Sequence, residues 1–388
     1  MLREFLFQSF FLGGFECSTH ARENGKRLDL IAATAHDRFA EQDYRRLVET
    51  GIFSCRDGLR WHLIEARAGH FDFSCALPLV KAAQKTGMQV IWDLLHYGWP
   101  EHIDVFDSRF VDAFGRFCGA AARFIASETD VEPWFTVVNE PSFLCWAGAE
   151  VGFFPPFCYG RGDEFKKQLI RATIAGIEAV RDEIPQARFL QVDPLVNIVS
   201  DEAASDESRR EAEGYCEAQF QCTDMLAGYL CPELGGNLRY LDVIGCNYYV
   251  HNQWRYGGKF IERSDPKYRP LHQMLAGVAA RYGRPLLIAE TGIEDARRPE
   301  WLAYVCDEVE TALHHGLPVH GVCLYPIVNH PGWADDRHCH NGLWDYCNAE
   351  GHREIYSPLA VELKLQQARF NGLTESSGRG WKTEEVYA

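Results

Sequence analysis

Polar residues close several apolar segments of this chain, at the positions where strands of a parallel sheet would end. Glu140 follows the apolar run WFTVV and precedes Pro141, and Glu290 closes PLLIAE. Two such carboxyl groups suit glycosidic bond cleavage, because one can protonate the leaving oxygen while the other attacks, or activates water at, the anomeric carbon. Further polar candidates at strand ends are Glu16, Arg60, His96, Asn139, Asn247, Tyr248, Tyr249 and Tyr325.

The elements that would position these residues follow a repeating pattern. Eight short apolar segments each precede a longer segment with helical periodicity. This alternation favours a parallel (β/α)8 TIM barrel over a doubly wound sheet, since no GxGxxG follows the first strand. The predicted strands are 5–17, 52–61, 88–98, 133–141, 187–196, 240–249, 285–293 and 319–329, and the predicted helices are 36–50, 71–87, 109–127, 164–183, 209–230, 271–283, 299–315 and 356–369.

The barrel pattern places the two glutamates in one site. Catalytic residues of TIM barrels lie at the carboxyl ends of the strands. Glu140 on the fourth strand and Glu290 on the seventh would therefore face each other across the mouth of the barrel. No linker-like segment divides the chain, so we expect one catalytic barrel over 1–371. The Gly-, Ser- and charge-rich tail 372–388 is predicted to be disordered.

Composition excludes several classes of partner. The chain has 388 residues, of which 46% are hydrophobic and 24% charged, and a net charge of −16. A phosphate backbone or an anionic membrane would repel such a surface. The apolar N-terminal segment lacks the features of a signal peptide and no run is long enough to span a membrane. The fourteen cysteines form no CxxC pairs, which favours buried free thiols in the cytoplasm.

Six segments resemble motifs of glycoside hydrolase family 1, the β-glucosidase family, in the same order along the chain. WFTVVNEP is similar to the family's W-x-T-x-N-E-P, and GLRW resembles its R-F-S-x-x-W strand. The other matches are FLGG, LLHYGWP, LDVIGCNYY and PLLIAETGI, which begin at 11, 94, 241 and 285. The resemblance implies a retaining, exo-acting β-glycosidase that works through a covalent glycosyl-enzyme intermediate and needs no cofactor or metal.

The resemblance also implies a role for individual residues. Glu140 would be the acid/base and Glu290 the nucleophile. Arg60 would lie near Glu290 and keep it ionised, because a nearby cation favours the charged carboxylate. Tyr249 would donate a hydrogen bond that orients Glu290. Substrate contacts are expected from Asn139 at the 2-hydroxyl, from His96 at another ring hydroxyl, from Trp333 packed on the sugar, and from Glu16, Asn247 and Tyr325.

Three departures from the family bear on the substrate. Ala21 stands near the place of a glutamine that grips outer hydroxyls, and Gly332 replaces a glutamate with a similar task. Tyr325 replaces a tryptophan. We therefore predict weak activity on simple β-glucosides and β-galactosides, and a sugar that is acidic, amino-substituted or part of a larger conjugate. The candidates for its recognition are Glu16, His20, Arg22, Arg337 and His338.

The segment ADDRHCHNG, residues 334–342, is rich in His, Cys and Asp. A solvated loop is the simplest interpretation, and contact with an acidic or modified sugar is a second. A metal site is disfavoured, because the consecutive side chains His338, Cys339 and His340 cannot easily converge on one ion.

Other functions remain open from the sequence. A transglycosidase would use the same two glutamates but pass the sugar to an acceptor other than water. A catalytically silent sugar-binding barrel is a second alternative, although it has no need for an acid opposite a nucleophile. An isomerase or metal-dependent aldolase would want a metal cluster or a lysine at a strand end, and no strand end carries a lysine. The expected partner is a carbohydrate or glycoconjugate, and the oligomeric state is open.

Overall fold

The computed structural model describes residues 6–201 and 204–376, with side chains up to 372. Within these residues, eight parallel strands form a closed barrel, which confirms the (β/α)8 prediction. Each strand pairs with its neighbours in the chain, and the last strand closes on the first through Phe11 and Val322. The strands are β1 (Phe11–Gly14), β2 (Ser54–Gly58), β3 (Gln89–Leu95), β4 (Trp134–Val138), β5 (Arg188–Pro194), β6 (Val243–Asn247), β7 (Leu286–Thr291) and β8 (Val319–Leu324).

Helices surround the barrel and connect its strands. Seven of the eight predicted helical segments each correspond to one long helix, whereas the segment predicted as one helix over 209–230 is divided into two, and additional short helices occupy the loops. The prediction of a stop at Gly87 is confirmed, because this residue caps its helix with a φ of +70°, which glycine adopts without strain. The helices are α1 (Leu30–Ala33), α2 (His36–Glu49), α3 (Trp61–Ile64), α4 (Leu77–Thr86), α5 (Arg109–Glu128), α6 (Pro141–Cys145), α7 (Gly162–Glu183), α8 (Asp206–Glu217), α9 (Gln221–Ala227), α10 (Leu271–Tyr282), α11 (Arg298–His314) and α12 (Ser357–Ser376).

Shorter elements occupy the connections between the strands and helices of the barrel. A π-helical turn, Trp146–Glu150, follows α6 directly. Two-stranded ladders join Asn197–Val199 to Gln253–Arg255, His330–Pro331 to His338–Cys339, and Trp344–Cys347 to Arg353–Ile355. Single 3-10 turns lie at Phe73–Cys75, Ala218–Phe220, Pro232–Leu234, Leu238–Tyr240 and Asp295–Arg297.

Side chains alternate between the two faces of each barrel strand, and this separates two hydrophobic cores. The larger core lies between the strands and the helices. The smaller core combines apolar side chains from β1 and from β3 to β8, including Leu12, Ile91 and Trp134. In β2 the alternation sends Cys55 to the larger core and gives the barrel interior the charged side chain of Arg56, which is fully buried.

Three further expectations concern the chain as a whole. Helix α12 continues to Ser376, and the remainder of the predicted tail, 377–388, lies outside the described residues. None of the described helices combines the length and the apolar character needed to cross a membrane. All fourteen cysteines lie in the described part of the chain, and each is a free thiol there.

Candidate active site

Glu140 occupies the junction between β4 and α6. Its φ of +44° is unusual for a residue with a side chain, and such strain is typically stored at functional sites. Its backbone N–H donates to the carbonyl of Val192 on β5, at 3.1 Å, which holds the junction in place. Tyr97, at the end of β3, also has a positive φ of +68°. The two strained residues are joined by a hydrogen bond from the Tyr97 hydroxyl to Glu140 Oε2.

The surroundings of Glu140 act on its protonation in opposite directions. Asn247 Nδ2 donates to Oε1 at 2.7 Å, and Tyr97 donates to the other oxygen. Burial, followed by the negative charge of Glu290, raises the pKa of Glu140 to about 7, although the two hydrogen bonds oppose this rise. Glu140 can therefore hold a proton near neutral pH, as a general acid must.

Glu290 lies near the end of β7, where its backbone pairs with Asn247 of β6. The guanidinium of Arg56 donates to Oε1 at 2.8 Å, and the Tyr249 hydroxyl donates to Oε2 at 2.8 Å. The predicted contact of Tyr249 with Glu290 is confirmed, and the two donors fix the positions of both carboxyl oxygens.

The prediction that Arg60 lies beside Glu290 is wrong. Arg60 instead donates to Asp37 at 3.0 Å and to Asp29 at 3.3 Å. The reason is that β2 ends at Gly58, so Arg60 has left the strand, whereas Arg56 lies within it and faces the interior. The family motif carried the signal, because its arginine precedes its tryptophan by five residues, which is the spacing of Arg56 and Trp61.

Arg56 connects several site residues that the sequence analysis treated separately. Besides Glu290, its guanidinium donates to Asp93 Oδ2 at 2.6 Å and to Asn139 Oδ1 at 2.8 Å. Asp93 on β3 was not a candidate, and its carboxylate also lies 2.9 Å from Nδ1 of His96. Glu290 and two predicted sugar-binding residues, Asn139 and His96, are therefore positioned by one buried arginine and one buried aspartate.

His96 and Asn139 lie together, as their positions at the ends of β3 and β4 predict. Asn139 Nδ2 is 3.2 Å from His96 Nε2 and 3.1 Å from the Tyr97 hydroxyl, which it donates to. Cys17 Sγ lies 3.2 Å from His96 Nδ1. Cys17 and Tyr97 were missed by the sequence analysis, although Tyr97 follows His96 directly in the segment LLHYGWP.

Glu16 and Tyr325 complete the inner wall of the site. Glu16 is buried, accepts from the Ser18 backbone N–H at 2.9 Å, and has Oε1 3.8 Å from His96 Nε2. Burial favours a raised pKa for Glu16, but His96, His330 and the Ser18 hydrogen bonds lower it below the ordinary value. The Tyr325 ring lies parallel to that of His96, with centroids 6.1 Å apart. Both predicted residues are thus next to the predicted sugar-binding histidine.

Trp333 belongs to a cluster of aromatic side chains at the mouth. Its ring centroid is 5.4 Å from that of His20 and 5.7 Å from those of Tyr97 and Phe154. Phe143 on α6 lies 6.3 Å from Trp333. Tyr97 contacts both Trp333 and Glu140, so Trp333 lies near the carboxyl group of Glu140. From this position Trp333 could pack on a bound sugar.

The residues predicted to bind the outer hydroxyls of a sugar differ in whether they already have partners within the protein. Arg22 donates to the carbonyl of Trp333 at 2.6 Å and forms an ion pair with Asp336. Arg337 forms an ion pair with Glu294. By contrast, Nδ1 of the buried His20 has no partner among the described residues.

Burial lowers the pKa of His20 to about 3, so its ring is neutral. A neutral imidazole with an unpartnered nitrogen offers one hydrogen bond to a ligand.

Two groups of side chains in the described residues have the composition of a metal site. In the first, donor atoms of Cys17, Asp93 and His96 lie within 4.8 Å of one another. Arg56 already neutralises Asp93 there, so a second cation is disfavoured. The second group comprises the exposed His338 and His340 and the half-buried Asp345.

Comparison with known proteins supports the fold. No protein-family model matches the sequence, and no curated protein matches it. The AHE enzyme from Alicyclobacillus herbarius superposes with a TM-score of 0.76 at 17% identity, covering 95% of this chain and 100% of that one.

Two structures from Thermotoga maritima are similar to the same degree. A β-glucosidase in complex with glucoimidazole gives a TM-score of 0.74 at 15% identity, covering 93% of this chain and 99% of that one. A family 1 β-glucosidase gives 0.74 at 14% identity, with coverages of 94% and 98%. These similarities establish that the chain shares its barrel fold with family 1 β-glucosidases.

Proposed function

We propose that this protein is a retaining, exo-acting β-glycosidase, with Glu140 as the acid/base and Glu290 as the nucleophile. The observation that carries the proposal is the different environment of two neighbouring carboxyl groups. Glu140 has a pKa of about 7, whereas Glu290 is bound by a guanidinium and a hydroxyl. A carboxyl group that can hold its proton near neutral pH, next to a second one held by two fixed donors, is the arrangement that a glycosidic acid and its nucleophile need.

In the first step, Glu290 would attack the anomeric carbon while Glu140 donates its proton to the leaving oxygen. The product is a glycosyl ester on Glu290, and the leaving group departs as an alcohol. In the second step, Glu140 would take a proton from water as the water attacks the same carbon. This releases the sugar with its original configuration and returns the proton to Glu140.

The effect of the Glu290 charge on the pKa of Glu140 explains how Glu140 can serve as the acid in the first step and as the base in the second. The charge of Glu290 is one of the two causes that raise the pKa of Glu140. Formation of the ester removes that charge, so the pKa of Glu140 falls and its carboxylate becomes the stable form. The loss of charge at the nucleophile thereby converts the acid into the base that the second step needs.

The proposed substrate is a β-linked carbohydrate or glycoconjugate, bound by Asn139 and His96. Asn247 Oδ1 is buried and has no partner in the described structure, so it offers an acceptor toward a substrate hydroxyl. Ala21 and Gly332 offer no polar side chain where family 1 enzymes bind outer hydroxyls. A site that lacks such contacts loses discrimination worth several kcal/mol, and we therefore expect a sugar other than plain glucose or galactose.

Covalent trapping tests this proposal. A panel of 4-nitrophenyl β-glycosides, including uronic, amino and deoxy sugars, identifies the preferred sugar. The corresponding 2-deoxy-2-fluoro glycoside with a good leaving group should then inactivate the enzyme. Peptide mass spectrometry should find the sugar on Glu290, and Glu290→Gln should stay unlabelled. A label on another residue, or turnover of the panel without any trapped ester, would contradict the assignment.

A further inference from the structure

The exposed cluster formed by His338, His340 and Asp345 lies beside the candidate active site and takes no part in the proposed chemistry. Cys339 lies between the two histidines in the sequence, but it is buried at 4% exposure, whereas both histidines are exposed. The backbone is extended at His338–Cys339, so alternate side chains point to opposite sides. Cys339 points away, so His338 and His340 can lie on the same side of the chain and approach one ion without it.

The two imidazole rings are stacked on each other. Their centroids are 4.2 Å apart, with planes 20° from parallel, and Tyr346 stacks on the other side of His338 at 4.2 Å. Because the lone pair of an imidazole nitrogen lies in the plane of its ring, two nearly parallel rings cannot both point at one ion. Binding would therefore require the exposed His340 ring to rotate out of the stack.

Asp345 supplies an oxygen ligand next to the histidines. His338 Nε2 lies 2.7 Å from Asp345 Oδ1, and one donor atom from each of the three residues lies within 4.8 Å of the others. Asn329 Nδ2 donates to the same Asp345 oxygen at 3.0 Å, which fixes the orientation of the carboxylate. Such support of a ligand by a neighbouring hydrogen bond is common around protein-bound metals.

We propose that His338, His340 and Asp345 bind one divalent transition-metal ion, with water completing its coordination. Two imidazoles and a carboxylate suit Zn²⁺, whose bonds to such ligands are about 2.0–2.2 Å long. Tetrahedral ligands at that bond length are about 3.4 Å apart. The His338–Asp345 pair would open by less than about 1 Å, and both side chains are exposed enough to move.

A metal here would tie together the loops that carry Trp333. His338–Cys339 pairs with His330–Pro331, and Trp333 lies in the turn between them. Asp345 belongs to the next ladder, Trp344–Cys347. An ion bound to both would cross-link the two ladders and limit the movement of Trp333 at the mouth. The proposal concerns binding and does not depend on the proposed function.

Equilibrium dialysis with Zn²⁺ on untagged, chelator-treated protein tests the site. The wild type should bind one more equivalent of Zn²⁺ than His340→Ala, which removes a ligand and leaves the contact between His338 and Asp345 in place. His352→Ala is the matched control, because His352 is also exposed and lies 3.9 Å from Glu354. It should bind as the wild type does. Asp345→Asn should weaken binding by about tenfold or more.

Hydrogen exchange provides a second readout. Zn²⁺ should increase the protection of the backbone amides of residues 330–347 in the wild type. It should not do so in the His340→Ala variant. The proposal is overturned if the wild type binds no Zn²⁺, or if His340→Ala retains the stoichiometry and affinity of the wild type. In either case the contact between His338 and Asp345 is an ordinary surface contact.

Discussion

At the scale of single residues, the proton on Glu140 determines how the proposed activity depends on pH. The pKa of Glu140 is raised to about 7, so the acid form is present below this pH and is lost above it. The value of kcat/KM should therefore fall as the pH rises through about 7. The hydrogen bond from Tyr97 favours the ionised form and lowers this pKa.

Tyr97→Phe removes that hydrogen bond and should shift the alkaline limb of the kcat/KM profile to higher pH. The measurement is a pH–rate profile with a substrate that has a poor leaving group, because protonation by Glu140 then matters most. A limb that stays in place, or moves to lower pH, would show that Tyr97 does not control the protonation of Glu140.

Arg56 and Arg60 provide a matched pair of substitutions. Lysine keeps the charge but cannot replace the planar guanidinium, which holds Glu290, Asp93 and Asn139 at once. Arg56→Lys should lower kcat/KM by about 100-fold or more, as for loss of a key electrostatic contact. Arg60→Lys, which faces Asp29 and Asp37, should have a far smaller effect. If both variants fold and Arg60→Lys loses more activity than Arg56→Lys, then Arg60 and not Arg56 is the arginine that supports Glu290.

At the scale of elements, the strand and helix pattern was sufficient to predict the barrel and the strand that carries each glutamate. The predicted strands were longer than the observed ones, since 5–17 contains the four-residue β1. The described extra residues, 6–10 before β1 and 15–17 after it, pack against the barrel without joining its ladder. Arg60 was misplaced for the same reason, because the end of β2 decides which arginine faces the interior. Asp93 was missed because a buried ion pair inside a strand depends on a partner from another strand.

The close approach of β1 to β8 explains a glycine at the end of β1. A Cβ on Gly14 would lie 2.0 Å from Cδ2 of Tyr325, whose ring is fully packed against its neighbours. Gly14→Ala should therefore displace Tyr325 and reduce the free energy of unfolding by about 1–3 kcal/mol, as measured by urea denaturation.

Gly214→Ala is the control, because a Cβ there meets no atom and Gly214 lies within α8. It should be neutral or stabilise the protein by about 0.5–1 kcal/mol. Equal stabilities of Gly14→Ala and the wild type would mean that Tyr325 is free to move.

At the scale of the whole molecule, a buried ionic network joins helix α2 to strand β2 and to the two-stranded ladder that contains Arg353. His36 at the start of α2 has Nδ1 2.9 Å from Asp43 and Nε2 2.8 Å from Asp57 of β2. Arg353 donates to Asp43 at 2.7 Å. Burial opposes the charge on His36, but Asp57 and Asp43 raise its pKa to about 9.

The stability of the folded protein depends on pH because the pKa of His36 differs between the folded and unfolded states. Its pKa is about 6.5 in the unfolded chain and about 9 in the folded protein, so the folded state binds the proton more tightly. The stabilisation is complete below pH 6.5 and is lost as the pH rises to about 9. The change is on the order of 3 kcal/mol. His36→Gln should remove this part of the decline in urea-denaturation experiments between those pH values, and an unchanged slope would contradict it.

The most direct test of the central claim is the stereochemistry of hydrolysis. Proton NMR can follow the anomeric signals of the released sugar, with the preferred β-glycoside as substrate, before mutarotation mixes the anomers. Two displacements at one carbon, first by Glu290 and then by water, return the original configuration. The account predicts that the β-anomer appears first and the α-anomer follows only at the rate of mutarotation. Initial formation of the α-anomer would show a single inverting displacement and would contradict Glu290 as a nucleophile.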